Sequence, residues 1–303
     1  HYPLRRQRQM CIRDRAKVDL HTSKKVRGLI AGRGRSMFKG SGEDFDDLKY
    51  YQPGDKISDI DWKATARSGE PLIRQFNEER VRHLGVIADT SYSMAATAAD
   101  GTMKKDAMVT AAGLLCFLAQ SHGDLVSLVT GSKAKPVQLP GRSSRGHLEL
   151  LLRSIDQGTT VQGPPSDLEW LLSRAFRVTR RSTLFMIITD EAHPQPADAH
   201  LLRRLATKHD LLVVRIKDAD PLLRLDLDAA VIDVGKPRDL LSNTRRAKKV
   251  QDEADAYREA RVAAGTEVLD ALRIPHVLTD GDSTVVDDLI DLLRRQGGPH
   301  GRG

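Results

Sequence analysis

The sequence predicts an α/β fold, a mostly parallel sheet with helices on both faces. Three observations lead there. Largely apolar runs recur at 84–88, 125–129, 183–188, 211–216 and 274–278. Between them lie segments whose apolar residues step by three and four, the mark of amphipathic helices. Two of the runs end on a carboxylate, Asp89 and Asp190. Strands covered on both faces read as unbroken apolar runs, and the alternation of strand and helix is that of parallel crossover units. In such sheets ligands bind beyond the carboxyl ends of the strands, which singles out the loops 89–94 and 189–191.

Each element has its own signal. Pro53-Gly54 and Gly69-Glu70-Pro71 mark turns, the second before a strand at 72–77. A helix over 104–120 follows from apolar residues at 107, 111, 114, 115 and 118. A strand at 135–139 pairs beside 125–129. Leu148, Leu151, Leu152 and Ile155 make 144–155 helical, and 167–178 is helical behind a capping-box pattern, Ser166 with Glu169. Further helices are expected at 197–208 and 285–293, and a strand at 230–234. Val250, Ala254, Tyr257, Arg261, Ala264 and Val268 define one face of a long helix. Residues 16–30 read as a short basic helix and 28–42 as a glycine-rich loop without phosphate-loop spacing. Residues 1–15 show no clean period and read as non-native or disordered.

Charge and composition exclude several classes. Lys and Arg number 48 against 41 Asp and Glu, a net +7. Residues 1–40 hold twelve basic and two acidic side chains, so the other 263 residues carry a net −3. A basic arm on a slightly acidic body makes nucleic acid an unfavoured partner, since no aromatics interleave the arm for base stacking. The arm keeps open a peripheral contact with an anionic membrane surface. The longest apolar run, 111–119, is nine residues, against the roughly 20 of a membrane helix. Cys11 and Cys116 make no disulfide framework, Cys116 reads as a buried thiol, and a reducing cytoplasmic setting is expected. The histidines lack zinc-ligand spacing, and no G-x-S-x-G elbow serves Ser91 as a nucleophile.

The chemistry lies in Asp89-Thr90-Ser91-Tyr92-Ser93-Met94, with Asp190 after another buried strand and Ser166 at a helix start. Carboxylates and hydroxyls are hard oxygen donors that suit Mg²⁺ or Mn²⁺. Two carboxylates leave a divalent ion with appetite for one more anionic ligand.

This pattern resembles the metal-ion-dependent adhesion site of a von Willebrand factor A domain. The stretch FDDLKYYQPGDKISDIDWKATARSGEPLIRQFNEER at 45–80 resembles the signature of the DUF 58 family (domain of unknown function 58), in which Y-Q-P-G-D and I-D-W lead into an A domain. The similarity covers roughly 35–290. It implies a basic arm and signature segment over 16–80, an A domain over 81–295, and metal ligands Asp89, Ser91, Ser93 and Asp190. For the second motif, Ser166 is preferred as the N-cap before Asp167-Leu168, with Thr159 competing. Asp55, Asp59 and Asp61 are expected to cap turns, and Trp62 to anchor the segment on the A domain. The resemblance further implies a non-enzymatic interaction module of the family's soluble branch. Its expected partners are a MoxR-type AAA+ ATPase or other A-domain proteins, met through an acidic side chain at the metal. The alternatives are a metal-dependent phosphatase or hydrolase, and anionic-surface binding through the arm.

Overall fold

Eight strands and seven α-helices are present in the computed structural model, which describes residues 48–51, 60–74, 82–220 and 248–296. A two-stranded antiparallel pair, β1 (Leu48–Tyr50) with β2 (Leu72–Arg74), accompanies the short helix α1 (Trp62–Ser68). The main sheet holds β3 (His83–Ala88), β4 (Leu125–Gly131), β5 (Pro136–Arg142), β6 (Leu184–Asp190), β7 (Asp210–Ile216) and β8 (His276–Thr279). Its spatial order is β5-β4-β3-β6-β7-β8. All neighbours are parallel except β4 and β5. The mostly parallel α/β class expected from the sequence is therefore the observed one. The expected strand at 230–234 and the basic helix at 16–30 lie outside the described residues, as do Asp55, Asp59 and Cys11.

Alternating side chains of the strands feed two cores. On one face Leu84, Val86, Ala88, Met186 and Ile188 pack under α2 (Lys104–Ser121), α3 (Arg145–Gly158) and α7 (Val285–Gln296). On the other, Ile87, Phe185, Ile187 and Val213 meet α4 (Leu168–Val178) and α5 (Ala199–Ala206), together with Leu269 of α6 (Lys248–Ala271). The chain leaves β3 toward the first face and β6 toward the second, so the connections reverse between two adjacent strands. Cys116 is fully buried in the first core, and burial pushes its thiol up to about 12.

Three expectations need correction. Trp62 is 67% exposed and α1 buries none of its residues, so Trp62 is no core anchor. It follows the N-cap Asp61, whose Oδ1 accepts from the backbone N–H groups of Lys63 and Ala64 at 3.0 Å. The buried side of α6 centres on Gly265 and Leu269, with Val262 and Thr266 half-buried; it is offset from the expected face, of which Ala264 and Val268 are half-buried while Tyr257 is 66% exposed. The offset follows buried Arg215 of β7, which donates to Val262 O at 3.0 Å and Thr266 Oγ1 at 2.6 Å and so pins that face with polar contacts. The N-cap of α4 is Asp167, which accepts from Trp170 N at 3.0 Å, and not Ser166.

Gly85 of β3 has no room for a side chain. A Cβ there would stand 2.4 Å from Cε1 of Phe185. Gly85→Ala is expected to cost about 1–3 kcal/mol through overpacking, seen as a lower urea midpoint. An unchanged midpoint would show that the ring yields freely.

The loop after the turn at 92–95 is fastened to the end of β8 by Asp100. Its Oδ1 accepts from Thr102 N and Oγ1 at 2.9 and 2.7 Å, and its Oδ2 from Ser283 N and Oγ at 2.9 and 2.7 Å. Burial raises this carboxyl, but the four hydrogen bonds outweigh it and hold it below the ordinary range. The stabilisation is thus fully present above the unfolded value of about 3.9 and is lost as pH falls through the depressed folded value. Asp100→Asn is expected to flatten the loss of stability below about pH 4 in acid titrations followed by circular dichroism. A slope equal to the wild type would contradict the assignment.

Candidate cation site

The strand order is that of a doubly wound sheet, and the reversal falls between β3 and β6. A crevice opens at such a switch point beyond the carboxyl ends of the strands. Asp89 follows β3 there, its N–H bonded to Ile188 O at 3.0 Å, and Asp190 is the last residue of β6. They are 2% and 5% exposed.

Local sequence shapes the first loop. Asp89 Oδ1 accepts from Ser91 N at 2.9 Å, an Asx turn that lifts the chain off the strand into the 3₁₀ turn Tyr92–Ala95. Thr90 points away from the crevice: Thr130 Oγ1 donates to Ala88 O at 2.7 Å, and the Thr90 and Thr130 hydroxyls meet at 3.0 Å. The turn brings the Ser91 and Ser93 hydroxyls together, 2.9 Å apart, and Ser93 Oγ donates to Asp190 Oδ2 at 2.7 Å. Asp190 Oδ1 accepts from Ala192 N at 3.0 Å.

Ser166 arrives from the loop before α4. With Asp167 serving as the cap, the Ser166 hydroxyl is released and donates to Asp89 Oδ2 at 2.6 Å. Thr159 does not reach the crevice, because its Oγ1 donates to Ile155 O at 2.8 Å at the end of α3. The structure thus gathers Asp89, Ser91, Ser93, Ser166 and Asp190 and leaves Thr159 out. The Ser166 loop is held by Tyr92 N, which donates to Pro164 O at 3.0 Å. Gly163 makes that approach feasible: a Cβ there would lie 2.8 Å from Thr160 O and 3.3 Å from Tyr92 N.

Several polar partners escaped the sequence reading. Thr189 Oγ1 donates to Asp89 Oδ2 at 3.3 Å. His193 lies nearby with Nδ1 3.6 Å from Asp198 Oδ2, an ion-pair distance too long for a hydrogen bond. Burial pulls its pKa down, but Asp198 and the fields of Asp190 and Asp89 outweigh burial and hold it above the ordinary value. Fully buried Lys104, at the start of α2, donates to Asp218 beyond β7. Glu191 is 5% exposed, and burial, reinforced by Asp218 and opposed by Arg258, pushes it up to about 7. A cleft of about 710 Å³ opens beside it, lined by Asp100, Asp218, Asp220, Lys217 and Arg258 among others. Thr189 and Glu191 lie in the 189–191 loop singled out from the sequence, but His193, Lys104, Asp218 and Arg258 belong to no short motif, and only the fold reveals them.

Among the described residues no group of three or more His, Cys, Asp or Glu side chains could hold a metal. The five-residue set differs in kind, with two carboxylates and three hydroxyls. Ligands adjacent in an octahedron of 2.0–2.1 Å bonds lie about 2.9 Å apart. The Ser91–Ser93 separation of 2.9 Å and the Ser93–Asp190 separation of 2.7 Å fit that spacing for a small hard cation.

Residues 47–261 match the model of a family described as "Protein of unknown function DUF58", and the chain belongs to that family. Uncharacterized proteins of Mycobacterium tuberculosis and Mycobacterium bovis are 28% identical over 208 residues, 66% of this chain and 63% of theirs. The chain thus spans less than two thirds of the curated relatives it matches. Similar solved structures include a von Willebrand factor type A protein from Catenulispora acidiphila (12% identity, 73% of this chain and 44% of that one, TM-score 0.38). The VWA domain of SpRpn10 is another (10% identity, 74% and 98%, TM-score 0.39). An aerotolerance-related membrane protein from Bacteroides fragilis is a third (13% identity, 70% and 99%, TM-score 0.44). No helix among the described residues is long and apolar enough to cross a membrane.

Gly163→Val is expected to push the 160–166 loop off Tyr92 and separate Ser166 from Asp89. Amide-proton shifts at Ser91, Tyr92 and Ser166 would report it, with a stability loss of about 1–3 kcal/mol. Unperturbed shifts at all three would show that the close approach is not needed.

Proposed function

We propose that this protein is a non-enzymatic interaction module of the von Willebrand factor A kind, working through a metal-ion-dependent adhesion site. The observation that carries the reading is the hydrogen-bonded set Asp89, Ser91, Ser93, Ser166 and Asp190 at the switch point of the sheet. Mg²⁺ or Mn²⁺ would be held by these oxygens, directly or through water. When bound, it supplies a positive centre with a vacant ligand position. The protein's own residues do the rest. The Asx turn aims Ser91 and Ser93, Ser166 orients the Asp89 carboxylate, and the Ala192 N–H orients Asp190. With two carboxylates and three neutral hydroxyls the occupied site would be undercompensated or just neutral, so a partner's Asp or Glu could complete it.

The partner proposed from the family resemblance is a MoxR-type AAA+ ATPase, in the assembly or remodelling of other protein complexes. A soluble, cytoplasmic setting belongs to the same reading. Two features support an interaction role. The cleft beside the site is charged, and no nucleophile elbow accompanies Ser91.

Capture of the cognate AAA+ protein by the wild type is expected to fall at least tenfold in EDTA and in Asp89→Ala, and to recover on adding Mg²⁺ to the wild type only. Equal capture by both proteins, insensitive to EDTA, would remove the metal bridge. Phosphoester hydrolysis that is lost in Asp190→Ala would replace the reading with a hydrolase.

A further inference from the structure

At the other end of β3 lies a second cavity of about 220 Å³, where the 179–183 loop after α4 passes over β3, β4 and β5. Its walls include His83, Gln138, Thr179, Arg180 and Arg181, and none of the described residues lining it is acidic. From His83 to Asp89 the strand spans six residue steps, or about 20 Å at 3.3 Å each, so this is not the cation site.

Two buried nitrogens, one lining the cavity and one on Arg174 beside its Gln138 wall, lack partners. His83 Nε2 is buried without a hydrogen bond. Arg174 Nε is buried and unpartnered too, while its Nη2 donates to Gln138 Oε1 at 3.1 Å. Buried polar atoms are nearly always satisfied, so each such exception asks for a missing acceptor. Arg180 and Arg181 are exposed and form no ion pair with another described residue. Asp124 is the nearby carboxylate, and its Oδ1 already accepts from Arg82 N at 3.0 Å. Burial and then Arg181 hold the His83 imidazole below its ordinary value, against the pull of Asp124. Two arginines against the one carboxylate named here leave the local field net positive.

We propose that this cavity binds a small oxyanion of the phosphate class, free or as the terminal phosphate of a small molecule, held by Arg180, Arg181 and His83 Nε2. Guanidinium forks match the oxygen pairs of such an anion, and charge-assisted bonds are the strong ones. A volume of about 220 Å³ admits a tetrahedral ion with several waters at about 30 Å³ each. The carboxyl end of α4 opposes an anion through its dipole, but a helix terminus carries only about half a unit charge against two full charges on the arginines.

The test is calorimetric titration of the full chain with inorganic phosphate, ionic strength held constant with chloride. Saturable one-to-one binding is expected. It should weaken at least tenfold in the Arg180→Ala/Arg181→Ala double variant and in His83→Gln, and be unchanged in Arg153→Ala on the exposed face of α3. Both arginines are exposed, so the double variant keeps its fold even where His83→Gln does not. Glycerol phosphate binding as tightly as inorganic phosphate would assign the terminal-phosphate form, and weaker binding the free ion. No saturable heat, or equal affinity in wild type and double variant, would overturn the proposal.

Discussion

Two parallel strands, β3 and β6, lie side by side at the centre of the sheet, and the chain leaves them toward opposite faces. Both are sealed by helices above and below, so along their length only apolar side chains fit. Val86, Ile87, Ala88, Met186, Ile187 and Ile188 are all essentially without solvent contact. Polarity is confined to the strand ends. At the carboxyl end the connections diverge, and there the chain places Asp89 and Asp190. The two cores, the reversal and the crevice are one constraint seen from three directions.

Burying two carboxylates near each other is costly, and in most proteins such groups are paired with cations. Here the nearest partners are hydroxyls and backbone N–H groups. Serine and threonine donate one proton each without adding charge, so the pair is solvated by the protein yet not neutralised. Lys104 is committed to Asp218 and Arg258 to Asp220 and Glu191, while His193, held above its ordinary pKa in part by the fields of both carboxylates, stands nearest Asp198. The site thus holds two buried carboxylates whose charge is met by neutral donors, the arrangement on which the proposed cation binding rests.

Much of this was legible in the residues, and the failures are instructive. Asp89, Ser91 and Ser93 could be read because they are contiguous and follow an apolar run. Ser166 was expected as an N-cap, and the structure brings it to Asp89 by another route. The N-cap is its neighbour Asp167, whose charged side chain satisfies the helix end and leaves the serine hydroxyl free for Asp89. The face of α6 was misread because an alanine-rich helix carries few large apolar residues to set its phase, while Arg215 fixes it through a carbonyl and a hydroxyl. Trp62 was misplaced by assuming that a large aromatic must be buried. Lys104, Glu191 and Asp218 come together only across distant loops, and no spacing rule could have found them.

The rims of the sheet complete the picture. One edge strand, β5, carries Pro136 and Pro140, residues without a backbone N–H to offer, and its pairing with β4 is broken by a register shift. The other, β8, is only four residues long. Prolines, irregular pairing and short length are the means by which sheets refuse an additional strand. Among the described strands neither flank offers a second chain a long, regular template for backbone zipping. Recognition is left to side chains at the strand ends.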